Sequence, residues 1–222
     1  MFVKICGITS ERDARVAACC GASAVGFVFC PSPRRVSPEQ ARSIRCALPS
    51  SLEVVGVFMG DPVQRVREVA AFCRLDAVQL HGDETPEICR AVSWPVIKAF
   101  RVKDGSSLGL IPCFRGVRAV LLDAWHPDRE GGTGRTFDWG LAGAVVFPDI
   151  PLVLAGGLTP QNVASAVAEA EPWGVDVSSG VERRPGVKDA ALVQRFVELA
   201  LAARRGGGEI HRGAGKENDF FA

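Results

Sequence analysis

The chain reads as an α/β protein, a single (β/α)8 TIM barrel with a flexible C-terminal tail. Three observations predict this. Eight short runs rich in β-branched residues alternate with helical patterns along the chain, and such alternation signals βαβ units with a parallel sheet. Most of the runs are continuously apolar, as strands covered on both faces must be. Eight such units suit closure into a barrel better than an open doubly wound sheet, and 222 residues match one domain of that kind.

The strands are expected at Phe2–Cys6, Ala24–Phe29, Val54–Phe58, Ala77–Leu80, Val96–Phe100, Ala119–Asp123, Leu152–Ala155 and Val175–Val177. The helices lie between them. Ser10–Cys20 opens with a Ser cap and an acidic residue in its first turn. Ser37-Pro38-Glu39 places a cap residue, then Pro at the first helical position, then an acid, and Asp61-Pro62, Thr85-Pro86 and Thr159-Pro160 repeat the device. Asp104–Phe114, rich in Gly, Ser and Pro, is the weakest helix candidate. Asp138–Ala144 is a short helix, and Lys188–Arg204 closes the series. The barrel domain thus covers 1–205, and Gly206–Ala222, which starts Gly-Gly-Gly and mixes charges without period, reads as a flexible tail.

Twenty-six basic residues against 25 acidic ones leave a formal charge of +1, so no large field favours nucleic acid or an anionic membrane. No run reaches the ~18 apolar residues of a membrane span. Met1–Cys6 lacks the basic and small-residue flanks of a secretory signal, so the cytoplasm is the expected location. Eight cysteines occur without a CxxC pair, which favours reduced, mostly buried thiols over disulfides or zinc.

In such a barrel the active site lies at the C-terminal ends of the strands. Cys6, Arg34, Arg35, His81, Arg101, Asp123, Gly156, Gly157, Asp176, Ser178, Ser179 and Gly180 all fall there. The turns Gly156-Gly157 and Ser178-Ser179-Gly180 follow strands seven and eight, where barrels frequently hold phosphate. Each alone is also compatible with a simple tight turn; the pair at adjacent strand ends favours an anion site. Asp123 ends an apolar run and must face the mouth or be buried at a cost, which suits a general acid, although a structural loop cap is the plain alternative. Cys6 ends the first strand in the same manner. A thiol there is either an inert core residue or, with its pKa lowered toward neutrality, a base. Arg34 or Arg35 is placed to clamp a carboxylate; a solvated basic pair is the plain reading. His81 either bonds a substrate or caps its loop, while His126 and His211 look incidental.

These segments resemble the phosphoribosylanthranilate isomerases. The resemblance rests on Val3-Lys4-Ile5-Cys6-Gly7-Ile8-Thr9, Ala24–Phe29, Val78–Gly82, Gly131–Trp139, Leu154–Leu158 and Val175–Glu182, in order, and covers residues 2–203. It implies a barrel enzyme of tryptophan biosynthesis that converts N-(5-phosphoribosyl)anthranilate to 1-(2-carboxyphenylamino)-1-deoxyribulose 5-phosphate by an Amadori rearrangement, with no metal or organic cofactor. It further implies Cys6 as general base, Asp123 as general acid and Arg35 on the anthranilate carboxylate. Asp176 would contact the ribose, and the turns at Gly156-Gly157 and Ser178-Ser179-Gly180 would hold the phosphate. His81 completes the expected substrate contacts. The expected partner is a small phosphorylated molecule, with no nucleic acid and no membrane, bound by a monomer or homodimer.

Arg135 stands where Lys is common in the family's GGTG loop, and the tail has no counterpart. Two other phosphate-binding barrels compete. An indole-glycerol-phosphate synthase would want a catalytic Lys and a longer N-terminal extension. A ribulose-phosphate epimerase would want metal-binding His and Asp at strand ends, and only three His are present. A catalytically silent binding barrel is the reading from another class; the joint presence of Cys6 and Asp123 argues against it.

Overall fold

All eight expected strands form, and they close on one another. The computed structural model describes residues 1–103, 108–124, 139 and 150–210. The strands are β1 (Phe2–Cys6), β2 (Ala24–Val28), β3 (Glu53–Phe58), β4 (Ala77–Leu80), β5 (Val96–Val102), β6 (Ala119–Ala124), β7 (Leu152–Leu154) and β8 (Gly174–Val177). They pair in chain order into a closed barrel, β8 returning to β1, and every barrel pairing is parallel. The register sets Lys4 beside Ala24 on one side and Asp176 on the other.

Alternation along each strand divides the core in two. Phe2, Ala24, Val55, Ala77, Ile97, Ala99, Ala119, Leu121, Val153 and Ala155 form one buried cluster, in which alanine dominates because eight converging strands leave little space inside. Val3, Ile5, Val25, Phe27, Val54, Val78 and Val120 belong to a larger cluster shared with the helices. Both faces are therefore covered, which is why the strand sequences are apolar without alternation.

The helices are α1 (Glu11–Cys19), α2 (Pro38–Cys46), α3 (Val63–Cys73), α4 (Pro86–Ala91), α5 (Val163–Ala170) and α6 (Ala190–Ile210). Ser10, Ser37 and Thr85 cap α1, α2 and α4, their hydroxyl oxygens accepting from the N–H groups of Asp13, Gln40 and Ile88. Two expected caps fail. Pro62, not Asp61, occupies the cap position of α3, and the Asp61 carboxylate pairs with Arg65 instead. At α5 the cap position is Asn162, and Thr159 and Pro160 lie before it. Of the helix expected at Asp104–Phe114, residues 104–107 lie outside the described set, and the described remainder holds a 3-10 turn, Ile111–Cys113. The helix expected at Asp138–Ala144 lies outside it too, Trp139 excepted.

Lys188, expected to open the last helix, instead belongs to a small hairpin, β9 (Glu182–Arg184) with β10 (Val187–Lys188). Asp189 then caps α6, accepting from the N–H groups of Ala191 and Leu192. That helix continues through the three glycines to Ile210, past the domain end expected at Arg205; residues 211–222 lie outside the described set.

Two buried carboxylates brace the loops above the barrel. Glu84 accepts from the N–H groups of Gly60 and Gly82 and pairs with Lys98 at 2.8 Å. Glu182 pairs with Arg34 at 2.7 Å and Lys188 at 2.8 Å. Burial alone would raise both carboxyls. The N–H of Gly60 with Lys98, and Arg34 with Lys188, outweigh it and hold both below the ordinary range. A lowered folded pKa gives stability that is complete above the unfolded value of ~4.3 and lost as pH falls below it. The urea midpoint should therefore fall between pH 5 and pH 3, and Glu84→Gln should flatten that dependence while lowering the midpoint at pH 7.

Candidate active site

The C-terminal ends of the strands surround a cleft of about 570 Å³. Its wall includes Cys6 from β1, Gln79 and His81 at the end of β4, Arg101 from β5, Asp123 from β6, Gly156 and Gly157 after β7, and Asp176, Ser178 and Ser179 at the end of β8. Most of the expected residues are thus brought together. A smaller cleft, about 230 Å³ between α4 and the start of β5, holds none of them.

Cys6, Asp123 and Asp176 are each 8% exposed. Cys6 sits beside the buried Lys4 ammonium. Burial pushes the Cys6 thiol up, and Asp176 adds to this; Lys4 and Lys188 oppose it without reversing it. Of the two states the sequence leaves open for this thiol, the structure does not give the lowered one: desolvation outweighs two nearby ammonium groups. His81 Nε2 lies 3.2 Å from Asp123 Oδ2, so His81 meets the candidate acid directly.

The two glycine-containing turns lie against each other. Gly156 and Gly157 have φ of +80° and +66°, values that L side chains rarely adopt. A Cβ on Gly180 would stand 1.9 Å from the Leu158 carbonyl oxygen, so only glycine permits the contact between the turns. Asn162 braces the first turn: its Nδ2 donates to the Gly157 carbonyl (3.0 Å) and its Oδ1 accepts from the Thr159 N–H (2.7 Å). Gly180 stands behind the cleft wall rather than in it.

The arginines divide differently from the expectation. Arg34 lines the cleft, and the exposed Arg35 does not. The strand-like bridge of Val28 to Arg35 turns adjacent side chains to opposite sides. Arg34 crosses the end of β1, where a Cβ on Gly7 would lie 2.5 Å from its Cδ. Its Nε and Nη2 donate to Glu182 at 2.9 and 2.7 Å, which fixes the guanidinium plane and leaves Nη1 toward other partners. Of the two arginines expected as a carboxylate clamp, only Arg34 thus reaches the cleft.

Lys4, Gln79, Glu182 and Asn162 were not singled out from sequence. Parity finds the first two: Lys4 alternates with Phe2 and Cys6, and Gln79 with Ala77 and His81, so they share the barrel's inner face. Nothing local in the sequence marks Glu182 as the partner of Arg34. The GGTG loop with Arg135, and His126 and His211, lie outside the described residues. Among the described residues no cluster of three or more His, Cys, Asp or Glu is placed to hold a metal, and no helix is long and apolar enough to cross a membrane.

Comparison with known proteins gives the family and agrees with the fold. Residues 3–199 match the family model described as N-(5'phosphoribosyl)anthranilate (PRA) isomerase. A relative of that name from Geobacter sulfurreducens is 56% identical over 199 residues, 89% of this chain and 97% of that protein. Another, from Pelobacter propionicus, is 50% identical over 203 residues, 91% of this chain and 96% of that protein. Among solved structures, phosphoribosyl anthranilate isomerase from Thermotoga maritima superposes with a TM-score of 0.86 at 42% identity, covering 91% of this chain and 99% of that one. A further structure of such an isomerase, 41% identical with a TM-score of 0.83 and the same coverage, was solved with reduced 1-(o-carboxyphenylamino)-1-deoxyribulose 5-phosphate. The chain belongs to the N-(5'-phosphoribosyl)anthranilate isomerase family.

Proposed function

We propose that the chain isomerises N-(5-phosphoribosyl)anthranilate with Cys6 as general base and Asp123 as general acid. The observation that carries this is their placement in one cleft, on β1 and β6, with the paired glycine turns at its other end. Asp123 protonates the furanose ring oxygen. The C1–O bond breaks as the anilino nitrogen lone pair forms C1=N. The Cys6 thiolate takes the proton from C2, and the electron pair moves to form C1=C2 and neutralise nitrogen. The enolamine then gains a proton at C1 and loses one from the C2 hydroxyl, giving the ketone. No oxidant is needed, since the sugar's own carbons exchange oxidation level. A thiol held high is a rarer base at neutral pH but a stronger one, the trade that general base catalysis sets.

The turns at Gly156-Gly157 and Ser178-Ser179-Gly180 take the phosphate, supported by the close approach of the two turns and their position after β7 and β8. Asp176 contacts the ribose and His81 the acid side of the cleft. Arg34 takes the anthranilate carboxylate. The change in anthranilate fluorescence during turnover is the assay, and absence of turnover in the purified chain would overturn the reading.

We also assign the cytoplasm as its location, supported by eight cysteines held as thiols rather than disulfides, three of them exposed, which suit a reducing compartment. Sedimentation should show a monomer or a homodimer; a related Thermotoga maritima enzyme is described both as dimeric and as generated monomers.

The segment from Gly206 onward is dispensable for catalysis. The family match ends at residue 199, the buried face of α6 is carried by Val193, Phe196, Val197 and Ala200, and Arg204 holds the helix to the Pro172 carbonyl. Truncation after Arg205 should leave turnover within about twofold and stability within roughly 1 kcal/mol. A larger loss in either, read by fluorescence assay and urea titration, would make the segment structural.

A further inference from the structure

Beneath the cleft runs a hydrogen-bond chain that the steps above do not use. Lys4 is fully buried, and its Nζ donates to Gln79 Oε1 and Asp176 Oδ1, each at 2.9 Å. Cys6 is its third partner. Gln79 Nε2 lies 3.0 Å from His81 Nδ1, and His81 Nε2 lies 3.2 Å from Asp123 Oδ2. The chain thus joins a buried cation to the candidate acid.

Its direction is forced. An ammonium has donors only, so Gln79 must turn its carbonyl oxygen to Lys4 and its NH2 to His81. That NH2 donates, so His81 Nδ1 must accept. The ring proton is then on Nε2, which donates to Asp123 Oδ2.

We propose that Lys4 and Gln79 are positioning residues that reserve the catalytic proton for Asp123 by denying His81 an acceptor for an Nδ1–H. The inference rests on the reading of Asp123 as the acid. An imidazole beside a carboxylate ordinarily takes the proton first, since their unperturbed values are ~6.5 and ~3.9. An imidazolium, however, donates from both nitrogens. Here its Nδ1–H would confront the Gln79 NH2, whose orientation a buried ammonium locks. Of the charged groups around this end of the cleft, Lys4 on β1 and Arg101 on β5 also disfavour a new cation, and Asp176 on β8 is already paired with Lys4. With Oδ2 occupied by His81, the proton of the acid lies on Oδ1, the oxygen left for the substrate. The same ammonium flanks Cys6, so acid and base share one support.

Gln79→Glu tests this without changing shape, because a carboxylate accepts from Lys4 and from an Nδ1–H alike. Imidazole ¹⁵N spectra at neutral pH, with His81 assigned by its loss in His81→Asn, should show neutral Nε2–H in the unsubstituted protein. They should show Nδ1–H or imidazolium in Gln79→Glu. We expect kcat to fall about tenfold or more, below the ~10⁴ seen where the misoriented histidine itself carries the proton. KM and binding of the reduced product analogue should stay within about twofold. In an Asp123→Asn background Gln79→Glu should cost nothing further. Gln79→Leu serves as a second variant: it removes the donor that faces Nδ1, and an Nδ1–H form of His81 should then appear in the ¹⁵N spectra. A His81 that is Nδ1–H or charged in the unsubstituted protein, or a Gln79→Glu enzyme within twofold in kcat, would overturn the proposal. If Asp123→Asn keeps more than a tenth of activity while the His81 spectra behave as stated, the acid assignment fails and the relay stands.

Discussion

Cys6→Ser and Asp123→Asn should each reduce kcat by at least ~10²-fold, the usual floor for a positioned acid or base. Serine cannot supply an anion near neutral pH, and asparagine has no acidic proton. Neither change touches the turns after β7 and β8, so calorimetric binding of the reduced product analogue should remain within a few-fold. The raised thiol adds a second readout. Alkylation of Cys6 by iodoacetamide, followed by peptide mass spectrometry, should reach half its maximal rate above the ordinary thiol value of ~8.5. The cause is burial, which outweighs Lys4 and Lys188. A half-maximum below that value would mean that the two ammonium groups win, and that the resting enzyme already holds thiolate.

Arg34→Ala should lower kcat/KM by roughly 10- to 150-fold, the ~1.5–3 kcal/mol of a charge-assisted contact. Arg35→Ala should stay within twofold, because that side chain is exposed and outside the cleft. Arg34→Lys keeps the charge but loses the planar fork that Glu182 orients, so most of the loss should persist. Steady-state kinetics of the three variants decide this. Equal effects at the two positions, or a dominant effect at Arg35, would return the anchor to the residue expected from sequence.

What the sequence allowed and what it hid follow from how each feature is encoded. Strands buried on both faces carry a strong apolar signal, so β1, β4 and the barrel order were readable to within a residue or two. Side chains at strand ends could be placed because barrel geometry fixes their direction. Arg34 and Arg35 sit in a loop with no period, and adjacent arginines are distinguished only by which one finds Glu182, 148 positions away. Asp61 and Thr159 looked like caps, but their helices start after Pro62 and Asn162; a local cap signature cannot report the loop's tertiary contacts. The sign of the Cys6 shift was equally hidden, since it balances burial against ammonium groups on β1 and β10.

The most direct test of the central claim is the progress curve of Cys6→Ser acting on saturating N-(5-phosphoribosyl)anthranilate, followed by anthranilate fluorescence beside the unsubstituted enzyme at the same pH. The acid–base account predicts a rate below a hundredth of that enzyme's, with analogue binding retained. A variant that keeps more than about a tenth of the rate would show that Cys6 does not take the C2 proton.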